Sequence, residues 1–141
     1  MDENESRLLL GDFENTLELF PAPSQGDRQL TARLRTPHLT ATHTFHELLG
    51  MGVGDFEGIV ELFDAFARDW LGWDGTRKWR SGDDDFAILG THDRIKQARL
   101  GIRIRDYYED WELEDIPVLI EGGHLEAVAR AVRSFVQSLP P

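Results

Sequence analysis

The sequence contains no cysteine, which excludes disulfides and thiolate chemistry. It has no apolar run approaching the ~18 residues of a membrane span. The stretch after Met1 reads DENES, where a secretory leader would carry a basic start and an apolar core. Together these absences predict a cytoplasmic protein. Basic residues are scarce: 15 Lys and Arg against 26 Asp and Glu, a formal net charge of -11. That balance repels nucleic acid and anionic membranes, so neither is expected as a partner. It favours solubility, or a basic protein partner.

Catalytic and ligand-binding signatures are missing as well. There is no G-x-S-x-G elbow, no H-E-x-x-H helix and no calcium-loop spacing around Asp83, Asp84 and Asp85. His43 and His46 stand three apart in an alternating segment, where a strand points them to opposite faces. The glycines of GMGVGDF, at 50, 52 and 54, fit a turn better than a phosphate loop, because an aspartate sits where phosphate charge would lie. The reading is therefore of a non-catalytic protein without metal or other cofactor. A small enzyme or small-molecule binder, with a pocket between sheet and helices, is the alternative.

What is present is a clear change of period along the chain. The 141 residues suit one domain, 1–141, with residues 1–6 as a flexible acidic tail. Residues 8–48 alternate in short runs separated by turn residues, which predicts four strands. In QLTARLRT, Leu30, Ala32 and Leu34 share one face; in the next run Leu39, Ala41, His43 and Phe45 do. Then Phe56, Ile59, Val60, Phe63, Phe66, Ala67 and Trp70 fall at helical spacing and predict a helix over 55–71. Alternation resumes in TRKWRS, DDFAILGTHD, IKQARLGIRIRDY and DWELEDIPVLIEGG, with Pro117 marking an edge or a bulge. A second amphipathic helix, 124–139, ends the chain. Runs of strands broken by single helices predict an α+β fold. The expected form is a curved, mainly antiparallel sheet of six to eight strands with both helices on one face. Arg33, Arg35, Arg99, Arg103 and Arg105 take outward strand positions, where pairing with acids on neighbouring strands is expected.

Three of the four tryptophans lie in DWLGWDGTRKWRS. Trp70 falls on the apolar helix stripe and is expected in the core. Gly72 is expected to stop the helix in a left-handed conformation. Trp73 then packs back on the last turn, Gly75 turns the chain, and Trp79 sits in the next strand. These five residues read as structural.

The acids gather in two clusters. One is Asp83, Asp84 and Asp85; the other is Asp106, Glu109, Asp110, Glu112, Glu114 and Asp115, interleaved with Tyr107, Tyr108 and Trp111. Both border turns, and turns at one end of a sheet can meet. Aromatic rings beside charges are the residue mix of binding hot spots. These twelve residues form the candidate protein-binding edge. Self-association through an exposed sheet face is a further expectation to test.

The stretches FDAFARDWLGWDGTRKWRS, FAILGTHDRIKQARLGIRIR and WELEDIPVLIEGGHLEAVARAVRSFV resemble an uncharacterised family of small actinobacterial proteins, similar in turn to WapI-type immunity proteins of polymorphic-toxin systems. The resemblance covers about residues 13–138 and rests most on Trp70, Gly72, Trp73 and Gly75. It carries no catalytic residues. It implies neutralisation of a bacterial toxin domain by protein–protein contact, with a basic toxin surface as the fitting partner.

Overall fold

The computed structural model describes residues 7–140 except Phe13, Leu49 and Met51. The tail expected at residues 1–6 lies outside the described residues. Four strands open the fold: β1 Leu8–Gly11, β2 Thr16–Ala22, β3 Gln29–Thr36 and β4 Leu39–His46. Helix α1, Glu57–Arg68, follows. Four more strands come next: β5 Arg77–Arg80, β6 Phe86–His92, β7 Gln97–Asp106 and β8 Trp111–Glu121. A 3-10 turn, Gly122–His124, leads into helix α2, Leu125–Gln137. The architecture is α+β, with eight strands among the described residues, all antiparallel.

The eight strands form two four-stranded sheets, ordered β1-β2-β3-β4 and β5-β6-β7-β8. The alternation expected from sequence holds in both. Leu30, Ala32 and Leu34 of β3 are fully buried, as are Ala98, Leu100, Ile102 and Ile104 of β7. One continuous core takes residues from both sheets and both helices. Phe45 of β4 stacks on Phe86 of β6 with ring centroids 4.5 Å apart. Trp79 and Phe56 pack against the same ring of Phe45. Across the other join, the Asn15 amide donates to the Pro117 carbonyl at 2.7 Å.

The two helices pack on each other, and each leans on a different sheet: α1 on β5, α2 on β1. Arg133 of α2 pairs with Asp64 of α1. Gly90 on β6 lies under Phe66, whose ring a β-carbon at that position would overlap. Among the described residues no helix is long and apolar enough to cross a membrane.

The tryptophan corner departs from expectation at two residues. Helix α1 stops at Arg68, and Asp69 to Leu71 form a turn. Trp70 therefore leaves the helical stripe and is 48% exposed, not core. Gly72 has φ +144° but lies three residues past the helix cap Asp69, so it shapes the following turn and does not end the helix. Trp73 fills the core position instead. It is buried, lies parallel to Phe66 at 4.9 Å, and donates its indole N–H to the Gly90 carbonyl at 3.3 Å. Trp79 is buried too, and its indole donates to the Asp55 carbonyl at 3.0 Å. Gly75, with φ +77°, turns the chain in open space.

Pro117 marks both features expected of it. β8 is an edge strand. Its register slips where Ile102 faces Ile116 but Ile104 faces Leu113. β8 thus carries one extra residue, and Asp115 there has φ +58°. Arg99 holds the bulge, donating to the Asp115 carboxylate at 2.7 Å.

Candidate interaction site at the acidic end

The two acidic clusters meet at one end of the fold, and His43 of β4 lies between them. Its Nε2 is 2.7 Å from Asp85 and its Nδ1 is 3.4 Å from Asp106. Alternation places His43 on the core side of β4, with Ala41 and Phe45. A ring facing inward needs polar partners, and the turns after β5 and β7 each deliver one carboxylate. The Asp85 hydrogen bond and the charges of both acids hold the His43 pKa above its ordinary value, against burial. The Nε2 contact with Asp85 is a hydrogen bond, and Asp106 adds a charge contact at Nδ1.

Burial pushes the Asp85 carboxyl up, but its bonds to His43 and Ser81 outweigh this and leave it below the usual range. The Ser81 hydroxyl donates to Asp85 at 2.6 Å and accepts the Asp85 and Phe86 amides. Ser81, Asp85 and His43 are thus linked in the order Ser–Asp–His. A catalytic triad needs the histidine against the serine. Here Ser81 is fully buried and the aspartate is its acidic partner. The arrangement fixes a turn and activates no nucleophile. Backbone packing tightens the same corner: Gly54, φ +87°, sits so close to Gly82 that a β-carbon would overlap its amide nitrogen. The GMGVGDF glycines serve here as a turn, with Gly50 and Gly52 also at positive φ.

Asp106 has two tasks. One oxygen faces His43; the other accepts the amides of Tyr108 and Glu109 at 3.0 and 2.8 Å. Those turn bonds, with His43, lower its pKa. Tyr107 and Tyr108 project from this turn, 57% and 100% exposed. Asp83, Asp106, Tyr107 and Tyr108 share with His43 and His46 an open cleft of about 590 Å³.

Other residues of the candidate edge are placed differently. Asp85 also lines this cleft, but it is largely buried and its carboxylate is engaged by His43 and Ser81. Asp84 pairs with Arg103, which brings its pKa down. Glu112 pairs with Arg105 at 3.2 Å. Trp111 packs partly against the core. Glu114 and Asp115 lie beyond the turn, at the β8 bulge. Glu114 is raised by its hydrogen bond and charge contact with Glu112. Asp83, Glu109 and Asp110 remain exposed, and none forms an ion pair among the described residues. Of the outward arginines, Arg33 pairs with Glu18, Arg99 with Asp115 and Arg105 with Glu112 across strands as expected, whereas Arg103 pairs with Asp84 in the β5–β6 turn and Arg35 forms no ion pair among the described residues.

The central residues that sequence reading missed are His43 and Ser81. The signal for His43 was its inward position in a clean alternation. Ser81 carried none. His92 lies far from this cleft in its contacts. It accepts the Arg94 amide at Nδ1, faces the Trp70 carbonyl with Nε2, and packs its ring edge on Trp73. It thereby ties the β6–β7 turn to the end of α1.

No curated protein and no solved structure matches the chain. A family model does match, over residues 9–139, and the chain belongs to that family, DUF6228, a family of unknown function.

Proposed function

We propose that the chain is a non-catalytic, cytoplasmic protein-binding module of the immunity type, which neutralises a bacterial toxin domain by covering a basic surface of it. The observation that carries this reading is the convergence of two acidic turns around His43, with Tyr107 and Tyr108 exposed at the rim. The rings supply contact area, and Asp83, Glu109 and Asp110 supply charge that forms no ion pair among the described residues. Docking needs surface complementarity and no chemistry, which agrees with a Ser–Asp–His order that activates nothing.

The test is protection from, and binding to, a toxin domain encoded by the adjacent reading frame. Asp106 is a poor site for reversal, because it caps its own turn and faces His43. The informative variant combines Asp83→Lys, Glu109→Lys and Asp110→Asn; asparagine tolerates the positive φ at 110. It should fold normally and associate at least about tenfold more slowly at low salt. Equal protection by variant and wild type would remove this end as the interface.

A small ligand in the same cleft is the second reading, favoured by a volume in the range of ligand pockets. Its wall is polar, and His43 already engages both ring nitrogens. Native mass spectrometry of the purified protein decides this: a retained small-molecule mass supports it, and the bare chain mass speaks for the docking role.

A further inference from the structure

Ladder bonds in an antiparallel pair alternate: a bonded residue pair is followed by one whose amides and carbonyls point away from the partner strand. The Glu47 amide donates to the Arg28 carbonyl at 2.8 Å, so these two form a bonded pair. Counting back along the register, Leu30–Phe45, Ala32–His43, Leu34–Ala41 and Thr36–Leu39 are bonded as well. The backbone groups of Thr40, Thr42, Thr44 and His46 therefore point to the outer edge of the sheet. β4 is the last strand of its sheet, and among the described residues none of these groups has a hydrogen-bond partner.

Sheet edges usually carry devices that prevent pairing: short length, charge, proline or a bulge. The other three edges of this protein have them. β1 and β5 have four residues each, and β5 carries Arg77, Lys78 and Arg80. β8 has Pro117 and the Asp115 bulge. β4 has eight residues, LTATHTFH, with no proline and no charged side chain other than histidine. Two clefts run along this edge, of about 590 and about 370 Å³, and Thr42 lines both. Trp111 and Leu113 wall the half beside Leu39 and Ala41. Asp83, Asp106 and Tyr107 wall the half beside His43 and His46.

We infer that β4 accepts an added strand from a partner protein: an extended segment with apolar side chains at one end and Lys or Arg at the other. The outward amides and carbonyls supply main-chain bonds, and the two cleft halves select side chains. A basic side chain beside Asp83 and Asp106 gains charge pairing and can lie on the Tyr107 ring. A second copy of this chain is a poor occupant, because each copy brings a net charge of -11 to a groove rimmed with acids. The inference rests on the docking role proposed above and names what docks.

The probe is the peptide Thr-Lys-Thr-Lys-Thr-Val-Thr-Val-Thr, read by fluorescence anisotropy and by amide hydrogen exchange on the full chain. Binding should slow exchange at Thr40, Thr42, Thr44 and His46. The amides of Ala41, His43 and Phe45, bonded to β3, should exchange slowly with or without peptide. N-methylation of alternate peptide amides keeps every side chain and removes the main-chain donors. It should weaken binding by about tenfold or more. Thr42→Pro should do the same, since its amide serves no ladder bond with β3. Equal binding of the N-methylated peptide, unchanged exchange at the four amides, or no binding at all overturns the inference. So does a dimer in which those amides are protected without peptide. Equal binding of both peptides would refute strand addition alone. The Asp83, Glu109 and Asp110 variant decides separately whether the acidic end docks a partner.

Discussion

At the scale of single residues, His43 makes stability depend on pH from both sides. Folding raises its pKa above the ordinary 6.5, chiefly through the Asp85 hydrogen bond. Its contribution is complete below that value and is lost as pH rises through the raised one. Asp85 is depressed below 3.8, so its contribution is present above that value and lost as pH falls through the lower one. The melting temperature of the wild type should therefore decline above about pH 6.5, and that alkaline slope should be absent in His43→Gln. His43→Ala leaves Asp85 buried without its cation and should cost about 3 kcal/mol near neutral pH. The tryptophans give a second contrast. Trp73→Ala opens a hole under Phe66 and should cost about 3–5 kcal/mol. Trp70→Ala, at a half-exposed ring, should cost about 1 kcal/mol or less. Urea titration of both variants checks the order, and a larger loss at Trp70 would contradict the packing described.

At the scale of elements, the sequence was informative wherever one period ran unbroken. Leu30, Ala32 and Leu34, and the four apolar residues of β7, alternate so cleanly that strand and face were both legible. The end of α1 was not. Trp70 continues the apolar stripe by spacing, but spacing cannot show that the chain turns after Arg68. What holds it there is non-local: Arg77 donates to the Ala65 carbonyl at 3.1 Å and to Asp69 at 2.8 Å. Nor could a pattern of alternation reveal two sheets in place of one, because a strand looks the same whichever sheet it joins. The β8 bulge was foreshadowed by Pro117, though the residue at positive φ is Asp115. That position gives an element-level prediction. Asp115→Val places a β-branched residue at φ +58° and should lower stability by about 1–2 kcal/mol. Asp115→Gly should be tolerated, since it loses only an exposed pair with Arg99. Equal urea midpoints for the two would mean the bulge relaxes at no cost.

At the scale of the whole molecule, the charge of -11 bears on encounter more than on fold. Association with a basic partner should slow as salt is raised, while dissociation changes little. Stopped-flow mixing at two ionic strengths separates these rates. The candidate site was half legible: the two acidic turns were visible as composition, and their meeting was not. The meeting depends on β4 passing beside the turns of the other sheet, a relation that no local pattern encodes.

The strand order has a consequence for how the chain reaches this state. Every ladder joins consecutive strands, so each sheet can zip up from its own hairpins with only short loops to close. The joins between the halves span long sequence separations: His43 to Asp85, and Asn15 to Pro117. Such contacts are costly to form early. They should consolidate after the rate-limiting barrier. Asn15→Ala and His43→Gln should then speed unfolding and leave the refolding rate nearly unchanged, whereas trimming a hairpin residue such as Leu34 should slow refolding.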